Sequence, residues 1–368
     1  MKKAWLLLLA AGCFLVGCGT TPTSISNTTQ NTVRKYNGTA SVGDFLTISI
    51  DSSAKTITYK NYTNGESGTV PYTVNANGTY TISDPNGNLL SAYEVPGFVM
   101  MIEAANAGPD MNTQALITAV ESVPATIDTF AGENFNYMQF RTAAGGLEVG
   151  TISIDDAGDV THDGYWPFGV FSDSEFNGGS FSASAVQEDP SGDFFTITEG
   201  NDSTSYAFGT PSGFFVVDTG SGTILSLPKA SAPSFNAPNA GTYTALYYEK
   251  ADAQTGAGNV ETGTPSEGQA TVTISSAGAV TITDSNNNVM ASGTLAAVAD
   301  TSYLYDGTTN TLSDPLYGMF TFRTTTSNSQ QDVFVSFQGN AAIFSSFETG
   351  LPIAGYAPYT YFYGVGLK

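Results

Sequence analysis

One hairpin phrase is written three times along this chain, and it limits the fold more than any other feature. Thr47-Ile48-Ser49-Ile50-Asp51 opens TISIDSSAKTIT, Thr151 opens TISIDDAGDVT, and Thr271 opens TVTISSAGAVT. The copies start 104 and then 120 residues apart. A glycine-led phrase precedes each: Asn37-Gly38-Thr39, Ala131-Gly132-Glu133 and Ala240-Gly241-Thr242. A glycine and an apolar run follow each, beginning at Gly97, Gly213 and Gly339. Three landmarks in one order, three times over, predict tandem copies of a single β-domain of about 100 to 120 residues.

Between the landmarks the apolar period is two, and Asx-Gly pairs mark the turns, which is the pattern of antiparallel hairpins. The 40 Gly supply tight turns, while 23 Phe and 19 Tyr supply the apolar area that a disordered chain lacks. The expected class is therefore all-β: three tandem antiparallel β-meander domains, each a barrel or a sandwich. A β-propeller of four-stranded blades is the alternative. One segment, 112–121, reads as a short helix between the first two copies, stopped near Pro124. The expected units are 36–127, 128–230 and 240–368, with 231–239 as a proline-bearing linker. A polar insertion at 251–268 reads as a long hairpin loop in the third copy.

The N-terminus gives an address. Met1-Lys2-Lys3 is basic, Ala4 to Val16 is apolar apart from Gly12, and the run ends in Leu15-Val16-Gly17-Cys18. The layout is that of a signal peptide, and the run is shorter than the ~20 residues that span a bilayer. Leu15-Val16-Gly17-Cys18 resembles the lipobox of bacterial lipoproteins; Ala10-Ala11-Gly12-Cys13 is a second, poorer match. The resemblance implies cleavage of 1–17, acylation of Cys18 and an anchor in the membrane, with 18–35 as a polar tether. Gly19, where retained lipoproteins carry Asp, implies the outer membrane, at its periplasmic or surface face. In the body, Gly241-Thr242-Tyr243 before its hairpin resembles small calycin-like meander barrels of bacterial envelope proteins.

Charge and residue supply exclude several chemistries. The net charge is −22, and loss of Lys2 and Lys3 with the leader takes it to −24. Such a surface repels phosphate backbones, so nucleic acid is not an expected partner. Both cysteines, Cys13 and Cys18, lie in the leader region, leaving the body no thiol for a disulfide. There is one histidine, His162, and no Gly-x-Ser-x-Gly elbow, HExxH, Walker loop or dinucleotide fingerprint. His162 is expected in an exposed turn just after the second hairpin. The reading is non-enzymatic and needs no cofactor.

Two groups of residues stand out as weak site candidates. Asp155, Asp156, Asp159 and Asp163 form the densest acidic cluster, though they lack the full ordered ligand set of a calcium loop. Tyr165, Trp166 and Phe168 form an aromatic stretch able to line a sugar platform or an apolar cavity. The sequence therefore points to a tethered β-repeat protein with a structural, adhesive or ligand-binding role. A carbohydrate-binding or polysaccharide-acting protein, and a carrier of a small apolar ligand, are the alternatives. A glycan, an apolar small molecule or another envelope protein is the expected partner.

Overall fold

The structure, a computed structural model, describes residues 33–368 apart from 85, 108–112, 141–147, 166–175, 183–184, 199–203, 211–212, 231–234, 256–257, 262–265, 299–315, 326–329 and 349–358. The leader, Cys18 and the tether up to residue 32 lie outside the described residues. What is described is nearly all strand, in three sheets.

The first sheet holds β1 (Val33–Ala40), β2 (Phe45–Asp51), β3 (Thr56–Asn61) and β4 (Ser67–Val74). It continues through β5 (Tyr80–Ser83), β6 (Leu89–Val95), β7 (Val99–Ala107) and β8 (Thr113–Glu121). Each strand pairs antiparallel with the next, and β8 returns to β1 through Tyr36↔Glu121 to Ala40↔Ile117. This is a closed eight-stranded barrel, and closure removes both edges.

The second sheet holds β9 (Asn134–Phe140), β10 (Glu148–Ile154), β11 (Val160–Tyr165), β12 (Phe176–Phe181) and β13 (Val186–Glu188). It ends with β14 (Phe195–Thr198), β15 (Thr204–Gly209), β16 (Phe215–Asp218) and β17 (Thr223–Pro228). The order β12-β11-β10-β9-β17-β16-β15-β14-β13 is the same circle, open between β12 and β13.

The third sheet holds β18 (Gly241–Thr255), β19 (Gly258–Glu261), β20 (Ser266–Ile274), β21 (Ala279–Asp284) and β22 (Val289–Thr294). After β23 (Ala296–Ala297) come β24 (Met319–Thr325), β25 (Gln330–Gln338), β26 (Ala341–Glu348) and β27 (Tyr359–Leu367). It is open between β22 and β23, and β19 hangs from β18. The thrice-written phrase falls on β2–β3, β10–β11 and β20–β21, the same station in each circle.

The all-β class with three tandem sheets is as expected, and the circular strand order selects the barrel over the sandwich and the propeller. Two expectations need correcting. The expected helix at 112–121 is β8, a strand buried on both faces. Ala115, Ile117 and Ala119 enter the barrel core, while Leu116 and Val120 join the core between sheets. A strand with two buried faces loses its polar alternation and mimics a buried helix. The expected loop at 251–268 is mostly strand, from β18, β19 and β20.

Each sheet wraps its own core, and a fourth core joins all three. In that joint the Phe140 ring stacks on Tyr363 at 4.7 Å between centroids, and Tyr363 on Tyr248 at 5.1 Å. Phe45 of barrel one stacks on Tyr206 of the second sheet at 4.5 Å. The approach is close enough that Gly43, at φ +90°, has no room for a side chain. A Cβ there would lie 2.2 Å from the Gly220 backbone. No helix among the described residues is long and apolar enough to cross a membrane.

Candidate functional site

Barrel one encloses a chamber of about 290 Å³. Its wall is aliphatic: Leu46, Ile48, Ile57, Val70, Ile82, Leu90, Ile102 and Ile117, with the smaller Ala40 and Ala104. An eight-stranded barrel is just wide enough either to fill with side chains or to hold one small ligand. Residue size decides between these outcomes. The second sheet fills its interior with Phe130, Phe135, Tyr137, Phe195 and Phe215. The third uses Tyr243, Tyr247, Phe322, Phe344 and Phe362. In barrel one the buried core has only Tyr36 and Tyr72 as aromatics. On the strand before the closing one, β7 points Met100 and Ile102 inward, where β26 points Ala342 and Phe344.

The chamber has a floor. Glu94, on β6, is fully buried and accepts a two-pronged bond from Arg34, at 2.6 Å from Nε and 2.8 Å from Nη2. The Tyr36 and Tyr80 hydroxyls also donate to it, Tyr80 at 2.6 Å. Burial alone raises the Glu94 carboxyl, but the bonds from Arg34, Tyr36 and Tyr80 outweigh it and hold the group below its ordinary value. Burial and the same carboxylate push both tyrosines up, so they stay as donors. The plug is a satisfied polar network, and every member depends on the others.

The opposite end is the mouth. Strands alternate in direction, so the β1–β2, β3–β4 and β5–β6 connections gather there. They bring Asp44, Glu66, Asp84, Asn61 and Asn86 to the rim. Tyr59 also lines the chamber. It lies opposite Gly68, where a Cβ would sit 3.1 Å from the Tyr59 ring, so glycine at 68 gives the ring its place. Glu103 reaches the mouth from β7 and accepts from the Ser91 backbone N–H at 2.6 Å. Beside it, Glu267 of the third sheet accepts from the backbone N–H groups of Ala104 and Ala115.

A second cleft, of about 300 Å³, lies between the second and third sheets. Asn136, Lys229, Asn236, Asn239, Ser336 and Gln338 line it with Phe320 and Phe337. Among the described residues it carries amides and no carboxylate.

The residues singled out from sequence fall elsewhere. Asp155 caps the β10–β11 turn, its Oδ1 accepting from the Ala157 and Asp159 backbone N–H groups at 2.8 and 2.9 Å. Asp156 and Asp159 are exposed in the same turn, and Asp163 lies on β11 opposite Thr151 and Gly178. Among the described residues no three His, Cys, Asp or Glu side chains come together to hold a metal. His162 is not in a turn: it sits half-buried in β11, between Ile152 and Gly179. Tyr165 ends β11, while Trp166 and Phe168 lie outside the described residues. Of these residues, none that the structure describes lines the barrel-one chamber. A legible signal for that chamber is the lack of Phe at inward positions of the first copy.

No family model matches the chain, and no curated protein matches it. Among solved structures, transferrin binding protein B of Haemophilus parasuis is matched at 8% identity, over 88% of this chain, with a TM-score of 0.21. The chain spans 65% of that protein's length. DNA polymerase III subunit beta of Pseudomonas aeruginosa is matched at 9% identity, over 90% of this chain and 92% of that one, with a TM-score of 0.12. Scores of this size do not amount to a shared fold.

Proposed function

We propose that this protein is a lipid-anchored, non-catalytic binding protein of the bacterial envelope, and that barrel one holds a small apolar molecule. One observation carries the reading: among the described residues, the first of three similar circles of strands has an aliphatic wall around a chamber, with polar groups at its mouth and the Glu94 network at the other end. Ligand pockets are mostly apolar with a few placed polar groups, and run from roughly 300 to 1,000 Å³. This chamber sits at the small end of that range. The units 36–127, 128–230 and 240–368 then divide the work: the first binds, and the other two hold it through the shared core.

The test is displacement of a neutral, environment-sensitive fluorophore from the purified body. Ala104→Phe sends a ring into the chamber, so binding should be lost. The urea midpoint should move little, because the ring enters empty space rather than packed core. Undiminished binding in that variant would place the apolar site elsewhere.

The anchor is tested separately. Metabolic labelling with a fatty-acid analogue should mark the wild-type chain and leave Cys18→Ala unmarked. Label on the variant would point to Cys13 or remove the lipoprotein reading. A second reading, glycan binding, rests on the amide-lined cleft with Phe320 and Phe337.

A further inference from the structure

Resting on the apolar-ligand reading, we propose that the ligand of barrel one is a cationic amphiphile. Its apolar body occupies the chamber, and an amine or quaternary ammonium group lies at the mouth. The first observation is where the acids fall. Each of the first three connections at the open end brings one carboxylate to the chamber rim: Asp44, Glu66 and Asp84. Asp84 keeps its charge: burial is the largest single influence and raises its carboxyl, but the bonds from the Asn88 side chain and backbone, each donating at 2.7 Å, together with the Asn86 and Gly87 backbone, outweigh it and hold the group below its ordinary value.

The second observation is where the bases fall. Barrel one carries Arg34, Lys35, Lys55 and Lys60. Arg34 and Lys35 begin β1, and Lys55 sits in the β2–β3 turn, so all three are at the floor end. Lys60 is nearer the mouth but does not line the chamber; its ammonium rests over the Tyr62 ring, 3.9 Å from the centroid. Among the described residues no Lys or Arg lines the chamber. Low-dielectric walls with one sign of charge at the opening focus the field along the entrance. A fatty acid would add one more negative charge to a mouth that already holds Asp44, Glu66, Asp84 and Glu103, whereas an ammonium head meets opposite charges there. A metal ion is a poorer occupant, because the described carboxylates do not converge on a point as a cation cage requires.

The experiment compares dodecyltrimethylammonium, dodecanol and dodecanoate as competitors for the neutral fluorophore, using the full mature chain. The ammonium compound should compete roughly tenfold or more better than the carboxylate at low salt, with the alcohol between them. The gap should narrow at about 1 M salt, where screening is strong. Glu66→Lys, an exposed substitution, should shrink or invert the order. Equal competition by ammonium and carboxylate, or ammonium binding that survives Ala104→Phe, would overturn the proposal while leaving apolar binding a separate question. Failure of all three competitors, the neutral alcohol included, would remove the apolar-ligand reading and this proposal with it.

Discussion

Glu94→Ala should cost this protein on the order of 3–5 kcal/mol, the usual penalty for stranding the partner of a buried ion pair. The substitution strips four hydrogen bonds at once and leaves the Arg34 guanidinium partly buried beside Tyr36 and Tyr80 hydroxyls that have lost their acceptor. An apolar exchange of both ends, Arg34→Met with Glu94→Leu, should recover most of the loss, since the cost lies in the stranded charge rather than in the pair. Urea denaturation of the three proteins measures it. A loss under about 1 kcal/mol in Glu94→Ala would mean that the floor is already wet and that the plug does not seal the barrel.

The plug also shows what the sequence can and cannot display. The period of two, the thrice-written hairpin and the Asx turns were enough for an all-β chain with a recurring unit, because each is a local pattern read over a few residues. Asp155 was legible for the same reason, as a turn residue, and it serves as one. Glu94 was not, since Arg34 and Tyr36 meet it across about sixty positions and only closure of β8 on β1 brings them together. The strand β8 mimics a helix in sequence because its Ala115-Leu116-Ile117 run is buried on both sides. The chamber is hidden in the sequence for a different reason. A cavity is a sum of side-chain volumes over eight strands, so no short stretch announces it. What distinguishes Ile102 from Phe344 is visible only after both are known to point inward at the same station.

Stability should fall as pH rises from about 5 to about 8, by on the order of 4 kcal/mol, at about 1.4 kcal/mol per unit for each proton involved. Two carboxyls at the joints of barrel one set the sign. Asp218 of the second sheet is buried against Thr39, which donates to it at 2.6 Å, and Gly220, whose N–H donates at 2.8 Å. Thr223 bonds Thr39 in the same nest, and Asp44 adds a like charge. Burial first, and then Asp44, push the Asp218 carboxyl up to about 6. Glu267 of the third sheet is pushed up to about 9, by burial first and then by Glu103. Tyr363, in the joint between sheets, also feels its charge.

Each folded value lies above the ordinary one, 3.8 for the aspartate and 4.5 for the glutamate. Their contribution is therefore complete below the unfolded values and is lost as pH climbs through the folded ones. Glu94, Asp51 and Asp84 are shifted downward and act in the opposite sense, but only below the ordinary carboxylate range. The maximum should fall near pH 5. Self-repulsion of an acidic chain also grows with pH, so the variants separate the two causes. Asp218→Asn and Glu267→Gln together change the net charge by only two, yet should flatten most of the slope between about pH 5 and 8. A slope unchanged in that double variant would assign the effect to global charge. In that case the two joints would not respond to pH, although Glu267 grips β7 and β8 beside the mouth of barrel one.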